Sequence, residues 1–131
     1  MKLVVTEPDS KEAQMTVRDF LKRRFSLHTV DIALAESLNA IWKHTNVHAD
    51  LGPNDAKAAV QDLIRIHDKL EVLATGELAE DTTTIAQSQD VTIYDALYVA
   101  AARKLNGTLL TSDRKLYNTA SGLTNTKLLK T

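Results

Sequence analysis

The chain contains no cysteine in its 131 residues, which excludes disulfides, thiolate nucleophiles and cysteine-based zinc sites together. Glycine and proline are scarce, four and two. They fall between periodic segments rather than within them, so no flexible linker divides the chain. No phosphate-binding glycine loop, GxGxxG turn or nucleophile elbow is present, which removes nucleotide-cradling and serine-hydrolase chemistry from consideration. The formal net charge is −1, so no global basic field draws the protein to nucleic acid. No apolar run reaches the roughly 18 residues needed to span a membrane. Behind Lys2 stands only Leu3-Val4-Val5, too short for a signal-peptide core. A cytoplasmic protein with no membrane contact is the expectation.

What is present fits one ordinary folded domain covering residues 1–131. Apolar residues make up 44% and charged residues 25%, as in a typical globular protein. Basic character is local, at Lys22-Arg23-Arg24, Arg103-Lys104 and Arg114-Lys115. Each cluster reads either as a solvated helix end or as a contact for phosphate.

Met1 to Thr6 is short and apolar, a strand or the last turn of a helix, and Pro8 blocks its continuation. Asp9 or Ser10 can cap a helix from Lys11 to about Arg24. A second helix is expected from about Asp31 to His44, with Leu34, Leu38, Ile41 and Trp42 as its apolar face. Gly52-Pro53 opens a third, with Val60, Leu63, Ile64 and His67 on its inner side. Glu71 to Ala74 reads as a strand, and a polar helix follows to about Gln89. An alanine-rich helix runs from Tyr94 to Leu105, closed by Asn106-Gly107. Thr108 to Thr111 is a strand, Arg114 to Ala120 a short helix, and Lys127 to Leu129 part of a last strand. Helices alternating with short strands predict an α/β sandwich around a mainly parallel sheet.

Three acids are candidates for a shared site. Glu36 shares a helix face with Asn39 and Lys43, nearly opposite Leu38, which alone is a solvated polar face. Asp95 follows Thr92 at capping-box spacing, and Asp113 lies in a turn directly after a strand; capping and turn formation account for each singly. Together they suit a hard divalent ion such as Mg²⁺ or Mn²⁺, which takes oxygen ligands and assists phosphodiester hydrolysis. Of the histidines, His44 and His48 stand four apart, but Asn46 to Gly52 reads as a loop, so no zinc pair is expected there.

The words around the acids carry a resemblance. Thr92-Ile93-Tyr94-Asp95-Ala96-Leu97-Tyr98 and the alanines after it resemble the PIN-domain signature, in which a helix start carries a metal-binding aspartate. Thr108-Leu109-Leu110-Thr111-Ser112-Asp113 looks like the strand that follows it, ending in a second acid. Ala35-Glu36-Ser37-Leu38-Asn39-Ala40-Ile41-Trp42-Lys43 is similar to the family's glutamate-bearing helix. Order and spacing agree over Glu7 to Leu129. The resemblance implies a three-layer α/β/α fold and a small ribonuclease of VapC type, the toxin half of a toxin–antitoxin pair. It further implies Glu36, Asp95 and Asp113 as catalytic metal ligands, Mg²⁺ or Mn²⁺ as cofactor, and RNA and a cognate antitoxin as partners. A two-fold homodimer is expected from the alanine-rich helices and few aromatics.

One element departs from the pattern. PIN domains usually begin with a strand ending in an aspartate, and Met1 to Thr6 holds none. Either these residues are that strand with Thr6 in place of the acid, or they match the end of the following helix, with strand and aspartate upstream. The absence makes a second function possible, a catalytically degenerate PIN domain that binds RNA or protein without cutting.

Overall fold

The computed structural model describes residues 2–6 and 26–129; the expected helix at 11–24 and the Lys22-Arg23-Arg24 cluster lie outside them. In chain order the described elements are β1 (Leu3–Thr6), β2 (Ser26–Val30), α1 (Ala33–Trp42), a π-helical turn (Lys43–Val47), α2 (Pro53–His67), β3 (Glu71–Leu73), α3 (Thr75–Gln89), α4 (Ile93–Leu105), β4 (Thr108–Thr111), α5 (Arg114–Ala120) and β5 (Thr126–Leu128). They form two compact units, Met1–Asp31 with Glu71–Thr131, and Ile32–Leu70.

The first unit is built on a five-stranded sheet of order β3-β2-β1-β4-β5. The β2–β3 and β4–β5 pairs are parallel, and β1 is antiparallel to both its neighbours. Four strands therefore run one way and the central one runs against them, which is the mainly parallel sheet expected. Leu3–Thr6 is a strand, not the end of a helix. Its direction was not foreseen, because a four-residue apolar run carries no information about polarity.

Leu27, His28, Thr29 and Val30 are all buried, as befits a strand covered on both faces. His28 is directly opposite Glu71 on β3, with Nδ1 3.1 Å from Glu71 Oε2. The connections β3→β4 and β4→β5 advance the same way across the sheet, so right-handed crossovers place α3, α4 and α5 on one face.

Helix α4 is the centre of that layer. Ala96 to Ala102 are buried without interruption, because the helix packs on α3 on one side and on β1, β2 and β4 on the other. A helix covered all round loses its amphipathic stripe, and alanines let its neighbours approach closely. Asn106 ends it in the left-handed conformation, φ 50°, and Gly107 N–H donates to Ala102 O at 2.9 Å. This is the closure that Asn106-Gly107 predicted.

The second unit pairs α1 with α2. Pro53 occupies the first turn of α2 as expected. The helical path continues beyond Trp42 as a π turn through Val47, where the sequence suggested a loop from Asn46. His44 and His48 consequently lie with ring centres 5.5 Å apart, and His44 Nδ1 is 3.0 Å from Asp50 Oδ1. The expected apolar faces are only partly covered. Leu63 is buried, but Trp42 is 52% and Ile64 45% exposed.

Candidate functional site

Strand β4 delivers Asp113 to the C-terminal end of the parallel strands, where α/β sheets place their sites. Asp113 is the N-cap of α5: its Oδ1 accepts from Lys115 N at 2.9 Å and from Leu116 N at 3.2 Å. Its own N–H donates to Thr111 Oγ1 at 3.0 Å, which fixes the turn. The turn expected at Asp113 is present, and its side chain also caps α5, with both cap bonds accepted by one carboxylate oxygen.

Asp95 behaves differently. Thr92 Oγ1 accepts from Asp95 N at 3.1 Å, so the main chain of Asp95 is capped while its side chain turns elsewhere. Oδ1 lies 3.3 Å from Lys2 Nζ. The pairing Leu3↔Leu110 and Val4↔Leu109 continues to set Lys2 opposite Thr111. Lys2 O also accepts from Thr29 Oγ1 at 3.2 Å. Lys2, Asp95 and Asp113 thus share one end of the sheet. The ammonium also lies 5.0 Å from the centre of the buried Tyr98 ring, within cation–π range.

Residues 3–122 match the PIN domain family. The chain is also 36% identical to Ribonuclease VapC3 of Pyrobaculum aerophilum over 114 residues, covering 87% of this chain and 83% of that protein. The chain belongs to the PIN domain family. In this PIN domain the signature helix is α4, and the strand and acid after it are β4 and Asp113.

Glu36 stands in the first turn of α1, in the Ile32–Leu70 unit, with its N–H donating to Ile32 O at 3.0 Å. All three acids are therefore in or at the first turns of helices, where the dipole favours negative charge. Among the described residues, no three His, Cys, Asp or Glu side chains stand close enough to hold an ion between them. The Asp95 carboxylate is paired with the Lys2 ammonium.

Two neighbours escaped sequence reasoning. Lys2 had no motif to mark it and meets its partner 93 positions away. Asp31, at the end of β2, accepts from Thr75 N at 2.8 Å and Thr75 Oγ1 at 2.6 Å. It thereby caps α3 from another strand. The sequence marked Asp31 only as the expected start of a helix, since Ser26–Val30 was not foreseen as a strand.

The basic clusters divide. Arg103 Nε is 3.5 Å from Asp81 Oδ2, and Lys104 Nζ is 3.5 Å from Glu77 Oε2, so both fasten α4 to α3. Arg114 and Lys115 are exposed in the first turn of α5, where the dipole disfavours cations. That is an awkward place for a purely structural pair.

Proposed function

We propose that this chain is a metal-dependent RNA endonuclease of the VapC type, acting throughout residues 1–131 as one PIN-like domain. In this reading it is the toxin half of a cytoplasmic toxin–antitoxin pair, works as a homodimer and is restrained by a cognate antitoxin protein. The observation that carries the reading is Asp95. Its helix start is capped without its carboxylate, which points instead to a cation at the strand-end pole shared with Asp113.

Glu36, Asp95 and Asp113 are the residues that would hold Mg²⁺ or Mn²⁺. Such an ion, if bound there, would supply activation of water and neutralise charge on the phosphoryl group. The chain's own part is positioning. The two N–H groups on Asp113 Oδ1 fix that carboxylate against rotation. Arg114 and Lys115, beside it, offer charge to flanking RNA phosphates. The name of the similar protein and the order of the three acidic words support this assignment.

The second reading, a PIN domain that binds RNA without cutting, is favoured by the same Lys2, which already engages Asp95. Cleavage of labelled RNA by the purified chain decides between them. Under the proposed function, cleavage needs Mg²⁺ or Mn²⁺, stops with EDTA and falls below detection in Asp95→Asn. RNA retention without any metal-dependent cleavage selects the binding module.

A further inference from the structure

Two features at the strand-end pole do nothing for folding. Ile93 and Tyr94, the two residues before Asp95 in the first turn of α4, are 43% and 60% exposed. One turn later the same helix buries Tyr98 to 2%, so the ring that the core needs is taken inside and Tyr94 is left in water. Directly after Asp113, Arg114 and Lys115 are exposed in the first turn of α5, where the helix dipole disfavours cations. Both helix starts lie at the C-terminal end of β4. Asp113 follows that strand, and Asp95 reaches Lys2, which the β1–β4 register sets opposite its last residue.

We propose that the Tyr94 ring is the stacking platform for one unpaired base of an RNA strand lying across this pole, with Arg114 and Lys115 on neighbouring phosphates. This rests on the reading of the chain as an RNA-binding PIN domain, and it holds whether or not the strand is cut. Every nucleobase has a flat face, and an exposed tyrosine offers a matching one with only two torsions to fix. Ile93 extends that apolar surface. Cations beside an aromatic ring are the combination that single strands require, charge for the backbone and a ring for the base. Bases within a duplex are already stacked on one another, so the ring selects an unpaired nucleotide. The same charge argues against a second copy of the chain as occupant. A two-fold contact sets a surface patch against itself, which would gather two sets of Arg114 and Lys115 at one interface. An RNA strand brings the opposite charge instead.

Fluorescence anisotropy on the full chain tests this, in EDTA so that no cleavage intervenes. The probes are a labelled single-stranded RNA of mixed sequence and the same strand annealed to its complement. On the single strand, Tyr94→Phe should bind as wild type does, while Tyr94→Leu and Tyr94→Ala should bind about tenfold more weakly, within the range one stacked base is worth. On the duplex all four proteins should bind alike, because only phosphate contacts remain. Wild-type affinity for the single strand in Tyr94→Ala overturns the platform and leaves the RNA reading standing. An equal loss on single strand and duplex overturns the selection of an unpaired base. Failure of the wild-type chain to retain either probe removes the RNA reading and the platform with it. A sedimentation shift from dimer to monomer in Tyr94→Ala would assign the face to a second copy and overturn the proposal. Thermal melts accompany each variant; should Tyr94→Ala not fold, Tyr94→Leu carries the same comparison.

Discussion

Asp95 and Asp113 both stand at the starts of helices, but only Asp113 uses its carboxylate to cap one. The difference separates stability from chemistry at Asp113. Asparagine caps nearly as well as aspartate, so Asp113→Asn should leave thermal stability close to wild type. Asp113→Ala removes the acceptor for Lys115 and Leu116 N–H and should cost about 0.5–2 kcal/mol. If Asp113 is also a metal ligand, both variants lose RNA cleavage equally. Thermal melts and a cleavage assay on the pair therefore read the two roles independently. Stability and activity both kept in Asp113→Asn would reduce the residue to a cap. The position of Asp113 at a strand end was legible because strand, turn and acid adjoin in sequence. The partner of Asp95 was not, since no local pattern joins residue 2 to residue 95.

At the scale of elements, helix positions followed from punctuation and periodicity. Pro53 and the Asn106-Gly107 closure fell where their backbone preferences require. What periodicity could not give was strand direction in β1 or the widened turn at Lys43–Val47. Both depend on long-range pairing or on local strain rather than on side-chain pattern. Among the described residues, the buried Thr82 Oγ1 of α3 has no hydrogen-bond partner. A buried hydroxyl without a partner costs about 1–3 kcal/mol. Thr82→Val keeps the β-branched shape and should stabilise the chain by about 1 kcal/mol, raising its Tm by a few degrees. In contrast, Ala100→Leu enlarges a fully buried position on α4 and should destabilise by about 1–3 kcal/mol. A calorimetric scan of both variants checks the packing argument from opposite sides.

For the whole molecule, the family and the mainly parallel α/β sheet were readable from three acidic words in order, and residues 3–122 match that family. No helix among the described residues is long and apolar enough to cross a membrane. Apolar surface remains on the Ile32–Leu70 unit, where Trp42 and Val47 are exposed by 52% and 60%. Such surface is consistent with the proposed self-association. Sedimentation equilibrium should show a dimer at micromolar concentration, shifted toward monomer by Trp42→Lys. A monomer throughout that range would remove the dimer from the account.

The central proposal is that Asp95, Asp113 and Glu36 together hold a divalent ion. Anomalous scattering from a Mn²⁺-soaked crystal measures it directly. The proposed function predicts a peak with Asp95, Asp113 and Glu36 oxygens within about 2.0–2.6 Å, the range of such metal–oxygen bonds. The contradicting result is a crystal saturated with Mn²⁺ in which Lys2 still holds Asp95 and no peak lies at that end of the sheet.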